Sequence, residues 1–195
     1  MATPTLMESL RVRVGLTSTD TTKDDEITVV KDTSFAMMGN YCDRLFPLLD
    51  AAVEKFTHHS GFTIQVKRFP IDSIASIVDA DGMATTQYHF DAETGTIYLD
   101  FVAGFHQGVV TFKGGYDEDD LPPDLLMAFY SVFDQEWELA QGGTVSSAGQ
   151  ISSVTVQDVG TVRYTTDSSD GGTSYGDFLP PRAKSLLASY MRFQC

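Results

Sequence analysis

The chain is poor in cysteine, poor in basic residues and without a long apolar run. It has 195 residues and only two cysteines, Cys42 and Cys195, in no CxxC spacing. That pattern supplies neither a zinc knuckle nor a dithiol redox pair, and two free thiols fit a reducing compartment. Lysine and arginine total 13 against 27 aspartates and glutamates, a formal net charge of −14. A conventional nucleic-acid binder presents a basic face, and a peripheral membrane protein presents a basic patch to anionic lipid. Neither is expected here. No uninterrupted stretch reaches the ~18 apolar residues of a membrane span. Residues 1–16 carry Glu8, Arg11 and Arg13 among their apolar positions, so no secretory signal is expected and a cytosolic origin is.

Catalytic signatures are missing as well. The sequence holds no GxSxG, P-loop, GxGxxG or HExxH pattern. His58 and His59 are adjacent, which does not match the spacing of zinc ligands. Asp79, Asp81 and Gly82 suggest a calcium loop, but its sixth and twelfth positions are Ala84 and Phe90; the loop at Asp167 places Phe178 at its twelfth. No catalytic residue, metal ligand or cofactor is therefore expected. A small metal-dependent hydrolase would need two of His58, His59, His89 and His106 brought beside a carboxylate.

What is present is a mixed pattern. Residues 5–16 read as a helix with Leu6, Leu10 and Val14 on one face. A second helix is expected over residues 25–46, with Ile27, Val30, Ser34, Met37, Tyr41 and Leu45 inward, weakened at Gly39 and stopped by Pro47. The period then changes. Runs 51–57 and 62–69 flank His58-His59-Ser60-Gly61 and predict a hairpin. Strands 71–78, 85–90, 96–101 and 109–113 follow, separated by turns at 79–82 and 91–95, and predict an antiparallel meander. Pro122 and Pro123 open a third helix with Leu125, Leu126, Phe129, Val132, Phe133 and Trp137 on its apolar face. The acidic run Asp117, Glu118, Asp119 and Asp120 precedes it. It is a candidate channel lining, or a solvated loop at a helix start.

Residues 142–179 are rich in Gly, Ser and Thr, with a small hairpin expected at 153–156 and 161–165. Residues 180–195 are basic and amphipathic, and a terminal helix is expected over 180–193. Three parts follow: a helical and β-meander domain over 1–141, polar loops over 142–179, and a C-terminal arm over 180–195. The fold class is α+β: a small helical bundle with an antiparallel meander or hairpin and an extended C-terminal arm.

The order of these elements resembles the head–tail connector, or adaptor, family of tailed bacteriophages. The resemblance is carried by Asp-Asp-Glu-Ile at 24–27, Tyr-Cys-Asp-Arg-Leu-Phe at 41–46 and Phe-Pro-Ile-Asp-Ser-Ile-Ala-Ser-Ile at 69–77. It continues in Asp81-Gly82, Thr94-Gly95, Tyr98 and Leu99, then in Val-Thr-Phe-Lys-Gly-Gly-Tyr at 110–116 with Leu-Pro-Pro-Asp-Leu-Leu at 121–126. It closes with Leu-Pro-Pro-Arg-Ala-Lys-Ser-Leu-Leu-Ala-Ser-Tyr-Met-Arg at 179–192. The stretch 141–176 is longer and richer in Gly and Ser than the family pattern. The resemblance implies a structural protein and not an enzyme. It implies a ring of twelve copies under the portal vertex, with portal protein on one face and a tail or stopper protein on the other. DNA would pass through the centre without specific binding. The setting is the virion, assembled in the bacterial host cytoplasm, with no membrane. A tail terminator or stopper ring is the neighbouring alternative. The resemblance also makes 180–193 a portal-docking arm. Pro180 and Pro181 would stiffen its start, Leu186, Leu187, Tyr190 and Phe193 would anchor it, and Arg182, Lys184 and Arg192 would meet carboxylates.

Overall fold

The computed structural model describes residues 4–57, 63–100, 107–141, 153–156, 160–163 and 179–191. The expected α+β class is what the chain adopts. Among the described residues, four α-helices and a 3-10 turn at Ala188–Tyr190 accompany antiparallel sheets.

Helix α1 (Leu6–Arg13) starts at a capping box. The Thr5 hydroxyl accepts from the Glu8 N–H, and the Glu8 carboxylate accepts from the Thr5 N–H. Leu6 and Leu10 are buried. Helix α2 (Asp24–Cys42) carries Asp24, Asp25 and Glu26 in its first turn, where the helix dipole favours them. Its buried stripe is Ile27, Val30, Ser34, Phe35, Met38 and Cys42. The expected stripe held as far as Ser34 and then ran one residue behind, because its step of three to Met37 falls short of the 3.6-residue period, while the buried positions continue by fours to Met38 and Cys42. Met37 and Tyr41 flank the core, half-buried, and Leu45 is 44% exposed. The helix also ends earlier than Pro47. Asp43 takes a left-handed conformation (φ 50°, ψ 42°), and the Arg44 N–H bonds back to the Gly39 carbonyl. Gly39 is required there: a β-carbon would lie 2.7 Å from the Arg44 carbonyl oxygen.

Helix α3 (Pro123–Ala140) has proline in its first turn and buries Leu125, Ala128, Phe129, Val132 and Phe133. Phe129 stacks on Phe35 of α2, ring centroids 4.5 Å apart. Leu126 and Trp137, expected inside, lie half-buried at the edge of this face. Helix α4 (Pro181–Leu187), followed by the 3-10 turn Ala188–Tyr190, packs on α3 and buries Ala183 and Leu187, with Leu179 buried just before it.

The strands are β1 (Leu49–Thr57), β2 (Thr63–Gln65), β3 (Ile71–Asp79), β4 (Ala84–Thr85), β5 (Tyr88–Asp91), β6 (Thr96–Leu99) and β7 (Gln107–Gly114). They form two sheets, ordered β1-β7-β3-β4 and β2-β6-β5. Two expectations are corrected here. Runs 51–57 and 62–69 do not pair as a hairpin: β1 pairs with β7 and β2 with β6. Non-local pairing puts Ala52 opposite Phe112, and Glu54 and Ile77 on either side of Val110. The expected strand 85–90 divides between the sheets, with a turn in which the Thr85 hydroxyl accepts from the Gln87 N–H. Apolar residues of both sheets, Ala52, Phe56, Ile64, Val66, Phe69, Ile71, Ile77, Ile97, Leu99, Val110 and Phe112, form one β core. A separate helical core is built from all four helices. The expected polar-loop hairpin is present as β8 (Ser153–Val156) and β9 (Gly160–Arg163).

Candidate functional site

Three places in the fold bear on function: the acidic loop, the C-terminal segment and the junction of the two cores.

In the acidic loop, the Asp119 carboxylate accepts from the Leu6 N–H at 2.6 Å and so holds the start of α1. Glu118 accepts from the Lys31 ammonium of α2 at 2.5 Å. Asp117 closes the loop on itself, accepting the Asp119 N–H on its side chain and the Asp120 N–H on its backbone carbonyl. Two of the four carboxylates thus tie α1 and α2 to the loop that leads into α3, and Asp120 is exposed. Two bidentate ion pairs tie α1 to α2 and to α3. Arg11 donates to Asp24 at 2.8 and 2.7 Å, and Arg13 donates to Asp134. The Arg11 guanidinium holds the Asp24 carboxyl below its usual range.

Residues 179–191 of the C-terminal segment fold back on their own domain. Pro180 is the N-cap of α4 and Pro181 its first residue, as expected of a proline pair. The helix then lies against its own domain. Leu187 is fully buried, its carbonyl 3.8 Å from the Cys42 sulfur, and Leu186 and Tyr190 are half-buried. The Tyr190 hydroxyl donates to Asp124 at the start of α3, 2.6 Å away. Burial and then Asp124 raise the Tyr190 pKa. An amphipathic helix beside an open apolar face on its own subunit covers that face first, since no entropy of association opposes it. Arg182 is exposed and Lys184 half-buried. Arg192 and Phe193 lie outside the described residues.

The junction was not anticipated. Arg44, just past α2, is 4% exposed. Its guanidinium carbon lies 3.6 Å from the ring centroid of Phe69, 4.8 Å from Phe46, 5.6 Å from Tyr116 and 5.8 Å from Tyr190. It donates to the Phe69 carbonyl, while its Nε has no partner. Burial lowers its pKa. This one cation therefore touches the end of α2, the β core, the loop before α3 and the C-terminal turn. Isolated bridges Leu45–Arg68 and Pro47–Tyr116 run beside it, and Arg68 donates to the Pro47 carbonyl. The only sequence signal was an arginine set in the apolar run after Cys42.

Among the described residues, the histidine and calcium alternatives find no constellation. His89 is exposed on β5, 3.3 Å from Asp100 and stacked on Tyr98, while His58, His59 and His106 lie outside the described residues. Asp79 accepts from the N–H groups of Asp81 and Met83, which makes it a turn residue. Among the described residues, no three of His, Cys, Asp and Glu come together to hold a metal ion.

No family model and no curated protein matches the sequence. Solved structures do match in fold. A chain from the neck of an empty gene transfer agent particle, determined with C6 symmetry, superposes with a TM-score of 0.60 at 13% identity. One from the neck of the native particle, with C12 symmetry, gives 0.54 at 14%, and one from the native virion gives 0.56 at 13%. In each case the match covers 100% of this chain and 94% of the other. The fold of this chain is thus one found in the neck of a phage-like particle, in agreement with the resemblance read from the sequence.

Proposed function

We propose that this chain is a structural neck subunit, a head–tail adaptor, that assembles as a ring between the portal of a phage-like particle and its tail-side proteins. The observation that carries the reading is the full-length likeness to chains of a particle neck, covering 100% of this chain at TM-scores up to 0.60. The twelvefold symmetry of one of those necks supports a ring of twelve copies. The acidic balance of 27 to 13 suits a ring around DNA, because like charge along a bore keeps phosphate from binding and lets DNA slide. On this reading the protein acts through shape and self-association, without chemistry, and resides in the virion after assembly in the host cytoplasm. Leu187, counted among the portal anchors expected over 180–193, is already used within the subunit and is not free for docking.

The test is particle assembly without the chain. Heads made in its absence are expected to fill with DNA but to carry no tail, and adding purified protein restores joining. Normal tailed particles in its absence overturn the reading. Imaging of the joined particles decides between portal-side adaptor and tail-side stopper by which ring the chain touches.

A further inference from the structure

We infer that copies of this chain meet through the basic outer side of α4 on one copy and the acidic outer side of α2 on the next. The inference rests on the ring reading above and gives it an interface.

Charge singles out these two sides. The subunit carries a formal −14, so identical copies repel unless a patch of opposite sign is presented. Several cations are already committed inside the subunit: Arg11, Arg13, Lys31, Lys67 and Lys113 each pair with a carboxylate, and Arg44 is buried. Arg182 and Lys184 have no acidic partner among the described residues, and residues 179–191 contain no Asp or Glu at all. Helix α4 is therefore a basic surface on an acidic body.

The outer side of α2 has the complementary character. Asp25 and Asp32 are exposed and two helical turns apart, about 10.5 Å along the axis. Val29 lies between them, 66% exposed. The lysine of this helix, Lys31, bonds Glu118 at 2.5 Å and lies 3.7 Å from Asp32, which stays 67% exposed, while Asp25 has no basic partner among the described residues. Thr28, Thr33 and Ala36 complete it with small side chains, which allow another helix to approach closely.

The placement fits a ring. Both α2 and α4 pack on α3, and each turns its buried stripe toward the helical core. Their outer sides are two different surfaces of one subunit, as a head-to-tail cyclic contact requires. Each copy would offer its α4 to one neighbour and its α2 to the other.

The experiment is sedimentation of the full chain over a range of concentration and salt. The parent is expected to assemble at low salt and to weaken as salt rises. Arg182→Glu with Lys184→Glu, and separately Asp25→Lys with Asp32→Lys, are each expected to weaken assembly at least tenfold. All four changes on one chain restore it, because the two signs have been exchanged. Circular dichroism checks each fold, and Asp25→Asn with Asp32→Asn serves if the lysines disturb the start of α2. Assembly of the parent that survives both reversals overturns the interface and leaves the ring reading intact. Normal self-assembly of the Arg182→Glu, Lys184→Glu chain with loss of head binding assigns α4 to the portal and also overturns it. A parent chain that stays monomeric both in concentrated solution and on portal-bearing heads overturns the ring reading itself.

Discussion

Replacing Leu187 by alanine separates a packed α4 from a free arm. Leu187 is fully buried in its own helical core, with Ala183 one turn before it and Leu179 just ahead of the helix also buried. The change removes about three carbon groups from the core. At ~0.8 kcal/mol per buried CH2 the transfer loss alone is about 2–3 kcal/mol. The cavity adds to it, and buried Leu→Ala changes as a class cost about 2–5 kcal/mol. Helix α4 is short and can settle inward, so the expected loss is about 3 kcal/mol. For a chain of this size that lowers Tm by roughly 6–12 °C. The assay is thermal unfolding followed by circular dichroism, with Ser185→Ala on the exposed side as a control expected within about 0.5 kcal/mol of the parent. Deleting residues 180–195 should destabilise further, since the Tyr190–Asp124 bond goes as well. If both Leu187→Ala and the deletion melt with the parent, the segment stands away from the domain and the packing argument fails.

Phe133, fully buried between Phe129 and Trp137, should cost about 3–5 kcal/mol as alanine, and a parent-like melting curve would remove it from the core. Asp119→Ala should cost about 1 kcal/mol by freeing the Leu6 N–H, read by urea unfolding; no change would mean that water replaces the carboxylate fully. Burial pushes the Cys42 thiol from 9.0 up to about 12. A raised pKa contributes fully below the unfolded value and is lost as pH rises toward the folded one, so stability should fall above pH 9, by at most about 4 kcal/mol. Urea midpoints at pH 8.5 and 10.5 should therefore drop more for the parent than for Cys42→Ala, and equal drops would refute the assignment.

The helices were legible because their signals are local. The spacing of Leu125, Phe129, Val132 and Phe133 is itself the buried face of α3, and the prolines at 122 and 123 mark its start. Strand positions were legible for the same reason, and strand partners were not. Alternation in residues 51–57 says that one side is buried but not that the covering neighbour is β7, more than fifty residues away. The packing of the C-terminal segment was hidden for the same reason. Leu186 and Leu187 announce an apolar face, and nothing in that pattern distinguishes a partner protein from α3. Nor is the Arg44 cage visible in sequence, since it gathers residues 44, 46, 69, 116 and 190 from four separate stretches.

Under the ring reading proposed above, the Arg44 cage has a further use. A buried cation without a carboxylate costs stability, and an apolar side chain of similar volume often serves as well or better. Its use here has a geometric merit. A flat guanidinium fits among four rings while donating to the Phe69 carbonyl, so it fixes direction as well as distance. What it fixes is the junction between the helical core and the β core, two clusters with separate memberships. A subunit that works by shape has little else to specify. In a closed ring of n copies each interface must turn by 360°/n, and a change at the junction that reaches an interface is repeated at every one. Repetition multiplies a small angular error until the ring cannot close. A rigid junction held by one directional group is therefore worth its cost in a ring subunit, where a free hinge between two cores would not be.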